Sequence, residues 1–184
     1  MAPAQYSVWL LAKADQELLL TQRVKELSKR LGGVPFQPHV TIQGDIAMPR
    51  VPLRAALRAI AASFPVQRWP VRAVERSDFF FRSLYLRFDA TPAFASMQEA
   101  LQQLTGTARG LSPFPHLSLV YCQRHPETEG LCRDLQQELG NENIVFDRLV
   151  VARSSKNVLI ADWQCLAQFP LVPADAIKTS PCNP

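Results

Sequence analysis

The sequence has neither a long run of basic residues nor a long run of apolar ones. Its 184 residues include 20 lysines and arginines against 16 acidic residues, and these charges are spread along the chain. A protein that binds duplex DNA needs a clustered basic face, so the sequence argues against duplex DNA as a partner. The net charge of +4 favours an anionic partner without identifying it.

The N-terminal segment lacks the features of a targeting or membrane-spanning sequence. Its apolar run, residues 8–12, is too short for a signal peptide or a membrane span. With 47% hydrophobic residues, the chain is nevertheless long enough to bury a substantial core. We therefore expect a soluble, cytoplasmic protein without a membrane partner.

Cysteine and histidine are both scarce. The cysteines include no CxxC pair, which predicts reduced thiols in or near the core. They are Cys122, Cys132, Cys165 and Cys182. Of the three histidines, two stand in the same frame of proline, histidine, apolar, hydroxyl and apolar residues. Residues 38–42 read PHVTI, and residues 115–119 read PHLSL.

The chain around the two frames repeats as well. Each half reads as a strand, a helix, a loop with phenylalanine and proline, and a strand that opens with the histidine frame. The distance from Tyr6 to His39 is 33 residues, and so is the distance from Ser83 to His116. The halves are therefore copies of one β-α-β unit at an offset of 77 residues. This repeat predicts two similar lobes related by a pseudo-twofold axis.

These patterns define the expected domain organisation. We predict a single bilobal domain over residues 1–171, with the internal repeat at about 6–46 and 83–122. Residues 172–184 are predicted to form an irregular tail. Residues 66–75 read as one strand, and its Pro70 places that strand at a sheet edge.

The histidine frames indicate a specific chemistry. In a strand, side chains two residues apart point to the same face, so His39 projects with Thr41, and His116 with Ser118. One imidazole can take a proton from a nucleophile while the other gives one to a leaving oxygen. The hydroxyls can donate hydrogen bonds to the non-bridging oxygens of a phosphate. This set suits the hydrolysis of a phosphodiester, with maximal rate near pH 6–7, where histidine ordinarily titrates.

The motifs His39-Val40-Thr41-Ile42 and His116-Leu117-Ser118-Leu119 resemble those of the 2H phosphoesterase superfamily, and the chain is most similar to its cyclic phosphodiesterase branch. The resemblance implies an α+β fold of two pseudo-symmetric lobes, each an antiparallel sheet with helices on its outer face, and an active-site cleft between them. It also implies catalysis without metal or cofactor. In such a mechanism His116 is the base that activates water, and His39 is the acid.

The resemblance also indicates the substrates. These are nucleoside 2′,3′-cyclic phosphates, ADP-ribose 1″,2″-cyclic phosphate or RNA 3′-ends. Gln43-Gly44-Asp45 departs from the arginine and FLG of the RNA-ligase-like branch, so a small cyclic nucleotide is the preferred substrate. An enzyme that processes RNA ends and a non-catalytic nucleotide-binding module are the alternatives. The oligomeric state is left open.

Four further residues bear on the site. Tyr121 matches a tyrosine of cyclic phosphodiesterases, but strand parity puts it on the opposite face from His116 unless the strand bulges or ends first. Phe80 lies in a run of three phenylalanines that either packs in the core or forms an aromatic wall for a base. Trp163 is expected in the core, with a base-stacking platform as the alternative. Arg82 could meet a phosphate, but a solvated surface is the preferred interpretation.

A metal site beside the histidines is not expected. The nearest same-face candidates, Asp45 and Cys122, each lie six residues beyond a histidine. At about 3.3 Å per residue they are roughly 20 Å away along the strand, too far to share an ion with it.

Overall fold

The computed structural model describes residues 5–173, which form eight β-strands and four α-helices. The elements in chain order are β1 (Tyr6–Ala12), α1 (Ala14–Leu31), β2 (Val40–Ile46), α2 (Arg50–Ala61), β3 (Gln67–Pro70), β4 (Ala73–Arg76), β5 (Leu84–Arg87), α3 (Pro92–Thr105), β6 (His116–Val120), α4 (Thr128–Leu139), β7 (Asn143–Arg153) and β8 (Gln164–Pro170). Short 3₁₀ turns occupy Phe80–Arg82 and Ile160–Asp162. Among the helices so described, none combines the length and apolar character needed to cross a membrane.

The eight strands form one antiparallel sheet in two lobes. The order is β3-β7-β1-β2-β6-β5-β4, and β8 pairs with β7. The first lobe contains β1, β2, β3, β7 and β8, and the second contains β4, β5 and β6. The lobes join where β2 pairs with β6. The predicted class, an α+β fold of two antiparallel lobes, is confirmed.

The two halves of the sequence are interwoven in this sheet. The β1-α1-β2 segment corresponds to the β5-α3-β6 segment, as the 77-residue offset predicts. The helix of each copy, however, packs across the junction: α1 contacts β6, and α3 contacts β2. The first lobe therefore contains β2 and is covered by α3, whereas the second lobe contains β6 and is covered by α1. We infer that the lobes stabilise each other and do not fold independently.

The alternation of side chains along β1 divides the interior into two layers. Val8 and Leu10 are fully buried in the large core between the sheet and the helices. Trp9 and Leu11 point to the other face, where they pack with strand β7 in a separate small cluster. The period of two residues in a strand produces this division. The helix-free face carries the candidate site.

Local signals in the sequence explain several element boundaries. Thr91 caps α3, because its hydroxyl oxygen accepts a hydrogen bond of 3.1 Å from the backbone N–H of Phe94. Gly32 ends α1 in the left-handed conformation, with φ of 69°.

The structure corrects the prediction of one strand over residues 66–75. The segment forms two strands, β3 and β4, which lie at opposite ends of the sheet order. Periodicity did not reveal this break, because each half is separately compatible with a strand. Pro70 ends β3 at the edge of the sheet, as predicted, where no ladder bond is lost.

The chain after β8 packs back onto the first lobe. Val172 still belongs to the ordered fold, because its N–H donates to the carbonyl of Phe64 at 2.9 Å. Most of the predicted tail, including Cys182, lies outside the described residues. The other cysteines carry free thiols, as predicted: Cys122, Cys132 and Cys165.

Candidate active site

The two histidine frames meet at the junction of the lobes. Val40 of β2 is paired with Leu117 of β6, and each directly follows a frame histidine. Both apolar side chains are fully buried in the main core on the helix side of the sheet. This one pairing therefore brings His39 and His116 side by side on the opposite face.

The register of this pairing also places the two hydroxyl residues. Continued by one residue in each direction, it sets Thr41 opposite His116 and His39 opposite Ser118. Directly opposite residues of antiparallel strands have Cβ atoms about 4.5–5.5 Å apart. The two imidazoles thus lie on one diagonal of a four-residue square, and the two hydroxyls on the other.

His39 is held by a hydrogen bond and an aromatic stack. Its Nδ1 lies 2.7 Å from the backbone carbonyl oxygen of Gln37. Its ring stacks on the indole of Trp9, with centroids 3.8 Å apart and planes inclined by 13°. The ring of Trp163 lies 6.2 Å away in an edge arrangement. Only 6% of His39 is exposed, so its orientation is strongly restrained.

His116 has an equivalent setting in the second lobe. Its Nδ1 lies 3.0 Å from the backbone carbonyl oxygen of Phe114 and 3.5 Å from the hydroxyl oxygen of Ser112. The rings of Phe114 and Tyr85 flank the imidazole at centroid distances of 5.2 and 5.6 Å. His116 is more exposed than His39 but still half-buried.

The backbone contacts determine the tautomer of both imidazoles. A carbonyl oxygen can only accept a hydrogen bond, so Nδ1 carries the proton in His39 and in His116. Nε2 is then the nitrogen that is left for chemistry in the cavity. When neutral it accepts a proton, and when charged it donates one.

Burial lowers the pKa of both imidazoles from 6.5 to about 4. The carbonyl hydrogen bond opposes this shift in each case. The charge of His116 lowers the pKa of His39 further. The charges of Arg82 and Arg87 likewise lower the pKa of His116. Between pH 6.5 and about 4 the unfolded chain therefore binds more protons than the folded one, so stability is lost as pH falls through this window.

The junction opens into a cavity of about 310 Å³. Its walls combine His39, Thr41 and His116 with the aromatic side chains of Trp9, Phe79, Phe81, Tyr121 and Trp163. The rim carries the charged residues Asp45, Arg82 and Lys156. An apolar cavity of this size with a few convergent polar groups is typical of a site for a small ligand.

The predicted site residues do not all face this cavity. Thr41 lies on its wall beside His39. Ser118 is 3% exposed, and its hydroxyl donates a hydrogen bond of 3.1 Å to the carbonyl oxygen of Phe81. Tyr121 lines the cavity because β6 ends at Val120, which removes the constraint of strand parity.

Phe80 is placed behind the cavity wall. It packs against a small cluster that contains Phe36 and Tyr121, whereas its neighbours Phe79 and Phe81 line the cavity. The sequence did not show which of the three phenylalanines would face the cavity. Side chains alternate between two faces in a strand, but this run forms a 3₁₀ turn. Substrate contact by Phe80 stays a prediction; the phenylalanines that line the cavity are its neighbours.

Sequence reasoning missed one residue of the site and placed two others elsewhere in its preferred interpretation. Trp9 stacks on the imidazole of His39, although it reads as one more apolar residue of a buried strand. Trp163 lines the cavity, where the sequence predicts a core residue. Arg82 also lines the cavity, where the sequence predicts a solvated surface. For Trp9, one signal was available in the sequence: the alternation of side chains in β1 puts it on the same face as Ser7, away from the apolar core.

The Gln43-Gly44-Asp45 segment shapes one end of the cavity. The buried side-chain amide of Gln43 donates to the carbonyl oxygens of Thr107 and Arg109 at 3.0 and 2.9 Å. Asp45 lies at an irregularity in the β1–β2 register and has a φ of 52°, a left-handed conformation that non-glycine residues seldom adopt. This segment therefore fastens the loop before His116 to the strand that follows His39.

The side chains capable of binding metal are dispersed. Within residues 5–173 there is no group of three or more histidine, cysteine, aspartate or glutamate side chains placed to hold an ion.

Comparison with known proteins identifies the fold. No family model matches the chain. The cyclic phosphodiesterase of Arabidopsis thaliana is 21% identical over 173 residues, which cover 91% of this chain and 96% of that protein. TT0787 of Thermus thermophilus has 14% identity and a TM-score of 0.61, with 92% of this chain and 99% of the other covered. E. coli LigT in complex with 3′-AMP has 14% identity and a TM-score of 0.60, with coverages of 92% and 98%.

The chain therefore has the two-lobed fold of TT0787 and of E. coli LigT. Its similarity to a cyclic phosphodiesterase agrees with the resemblance seen in the two histidine frames.

Proposed function

We propose that the protein hydrolyses a cyclic phosphodiester, either a nucleoside 2′,3′-cyclic phosphate or ADP-ribose 1″,2″-cyclic phosphate, to a phosphomonoester. The observation that carries the proposal is the placement of two imidazoles at one cavity, each with Nδ1 held by a backbone carbonyl. The likeness to a cyclic phosphodiesterase and to a LigT that binds 3′-AMP supports the same substrate class.

The reaction needs one neutral and one protonated imidazole on opposite sides of phosphorus. We assign His116 as the base: its Nε2 takes a proton from water while the water oxygen bonds to phosphorus. His39 is the acid: its Nε2 gives a proton to the ester oxygen as the phosphorus–oxygen bond breaks. Proton exchange with solvent then resets both rings.

The surroundings of the two rings support this assignment. Arg82 and Arg87 disfavour a positive charge on His116 and so keep it in the form that accepts a proton. The indole beneath His39 partly offsets the effect of burial on that ring, because a cation over the face of tryptophan is stabilised.

The hydroxyl of Thr41 is proposed to donate a hydrogen bond to a non-bridging oxygen as negative charge develops. Its position on the cavity wall, directly opposite His116 in the register of the two strands, supports that role. Phosphate binding by Ser118 stays a prediction from the sequence, because its hydroxyl proton is given to Phe81. Tyr121 and the cavity-lining Phe81 are the proposed contacts for the base or sugar.

The direct test is hydrolysis of 2′,3′-cyclic AMP, 2′,3′-cyclic CMP and ADP-ribose 1″,2″-cyclic phosphate by the purified protein. An oligoribonucleotide that ends in a 2′,3′-cyclic phosphate is the comparison substrate. We expect the small cyclic phosphates to be cleaved with the higher kcat/KM. A strong preference for the oligonucleotide would favour an RNA-end-processing enzyme, and binding without turnover would favour a nucleotide-binding module.

Activity is expected to be insensitive to removal of divalent metal ions. The proposed proton transfers use the two imidazoles, and no cluster of metal-ligating side chains accompanies them in the part of the chain that the structure describes. Turnover of 2′,3′-cyclic AMP should therefore be equal before and after incubation with excess EDTA. Loss of turnover that one particular divalent ion restores would contradict the acid–base mechanism.

The pH dependence of kcat/KM should differ from that of an ordinary histidine pair. With a pKa of about 4 in both rings, the form with one proton is most abundant near pH 4. We expect kcat/KM to fall about tenfold per pH unit between pH 5 and 7. The maximum thus lies below the pH 6–7 that unperturbed histidines predict, because burial disfavours the charged ring.

The pH dependence of kcat provides the control for this expectation. A bound phosphodiester anion stabilises the imidazolium, so the maximum of kcat should lie at higher pH than the maximum of kcat/KM. If kcat/KM is unchanged between pH 5 and 8, the histidines do not transfer protons in the rate-limiting step.

A further inference from the structure

We propose that Arg82 is the anion-binding residue of the cavity and holds the phosphate of the substrate on the side of His116. The proposal rests on the function proposed above and adds to it a residue outside both histidine frames. It is carried by the position of the guanidinium, the absence of a counter-charge for it within residues 5–173, and the way its turn is fixed to β6.

The guanidinium of Arg82 is confined by aromatic rings at the edge of the cavity. Its Cζ lies 4.8 Å from the ring centre of Phe114, 5.6 Å from that of Phe79 and 5.9 Å from that of Tyr85. Two of these rings, Phe114 and Tyr85, also flank the imidazole of His116. Arg82 and His116 are therefore held in one aromatic frame and face the same cavity.

Arg82 forms no salt bridge with a carboxylate among residues 5–173. Its Nε is buried without a hydrogen bond, and so is the Nε of Arg87. The contrast with Arg87 is informative. Arg87 packs over the same Phe114 ring at 3.7 Å, but its guanidinium lies 3.7 Å from the carboxylate of Glu75. Of the two arginines near His116, only Arg82 thus keeps an uncompensated charge within the described part of the chain.

A phosphodiester anion needs such a charge in this cavity. Burial keeps the pKa of both imidazoles near 4, so at neutral pH they supply little positive charge to attract the substrate. Lys156 also lines the cavity, but its side chain is exposed and its charge is screened by water. A half-buried guanidinium with a rigid fork of donors is better suited to phosphate.

The turn that carries Arg82 is fastened to the strand of the second histidine. Ser118 donates to the carbonyl oxygen of Phe81 at 3.1 Å, and Ser83 donates to that of Val120 at 3.1 Å. The residues on both sides of Arg82 are therefore bonded to β6. Through this arrangement the buried hydroxyl of the second frame positions the guanidinium relative to His116.

The test measures binding of inorganic phosphate and 3′-AMP at pH 7 by the fluorescence of the cavity tryptophans, together with KM for 2′,3′-cyclic AMP. For Arg82→Gln we expect phosphate and 3′-AMP to bind about 10- to 100-fold more weakly, because a charge-assisted hydrogen bond is lost. KM should rise by a similar factor. Arg82→Lys keeps the charge without the fork and should recover part of the affinity.

Arg87→Gln is the matched control. It removes an arginine that packs on the same ring and also lowers the pKa of His116, but whose charge is balanced by Glu75. We expect phosphate affinity within about threefold of the wild type for this variant. Circular dichroism and thermal melts of the three variants establish that each is folded before its affinity is compared.

Two results would overturn the role of Arg82. One is a folded Arg82→Gln variant that binds phosphate as tightly as the wild type does. The other is an equal loss of affinity in Arg87→Gln, which would make both arginines structural. If the wild type hydrolyses no cyclic phosphate, the proposed function fails, and the phosphate titration alone then decides the role of Arg82.

Discussion

His39→Ala and His116→Ala are each expected to lower kcat for a nucleoside 2′,3′-cyclic phosphate by about 10²–10⁴-fold. Each imidazole lines the cavity with one nitrogen bonded to backbone, and each carries out one of the two proton transfers. Steady-state kinetics of the purified variants measures the loss. His125→Ala is the control, because the third histidine lies outside the cavity and its Nδ1 accepts from the backbone of Glu127.

The double variant separates a shared mechanism from two independent contributions. If the rings act as one proton-transfer unit, His39→Ala combined with His116→Ala should be little slower than the slower single variant. A loss equal to the product of the two single losses would contradict the concerted acid–base scheme.

The acid can be distinguished from the base with a substrate whose leaving group needs no proton. A nitrophenyl phosphodiester provides such a leaving group, so the variant that lacks the acid should recover much of its rate. We expect His39→Ala to recover and His116→Ala not to recover, because His116 activates the water in both substrates. Recovery of His116→Ala instead would exchange the two roles.

The sequence predicted that the two histidine frames lie close together, because strand geometry is simple. The frame residues His39, Thr41, His116 and Ser118 are spaced by two, and the apolar residues between them are buried, so the facing direction followed from the pleat. The equal 33-residue spacing then required both frames to occupy equivalent places in the fold. One pairing, between Val40 and Leu117, was sufficient to bring the frames together.

The alternation of side chains in a strand gave no guidance where a strand ended or the chain turned. Strand parity placed Tyr121 away from the cavity, but β6 stops one residue earlier. The run of three phenylalanines forms a 3₁₀ turn, so Phe80 lies behind the wall and Arg82 reaches the cavity. The ends of elements depend on tertiary contacts, such as the bond from Ser118 to Phe81, which no local pattern encodes.

Packing across the junction was equally hidden in the sequence. In α1, Val24 and Leu27 are core residues and Leu20 points inward, whereas Leu18 and Leu19 are exposed although they are equally apolar. The crossing of α1 to the other lobe sets this orientation. The lowered pKa of both imidazoles has a similar origin, because it reflects burial by aromatic side chains from distant parts of the chain.

Thr41→Val is expected to lower kcat by about 10²–10³-fold, the usual cost of one donor to a developing oxyanion. Valine keeps the shape and the β-branch of the side chain, so the free energy of unfolding should change little and KM should be only weakly affected. Thr41→Ser, which keeps the hydroxyl, should retain most of the activity. Kinetics and urea unfolding of both variants test this.

Ser118→Ala is the informative comparison, because the two frames put a hydroxyl at the same place but the structure uses them differently. Thr41 lies on the cavity wall, whereas Ser118 gives its proton to the carbonyl oxygen of Phe81. We expect Ser118→Ala to lose about 1 kcal/mol of stability and to bind phosphate more weakly, because Arg82 is no longer held firmly, with a smaller fall in kcat than Thr41→Val. The contrary result is an equal fall in kcat for both variants, without loss of stability in Ser118→Ala. It would show that the hydroxyl of Ser118 turns from Phe81 to the phosphate. The two halves of the site would then be symmetric in chemistry as well as in sequence.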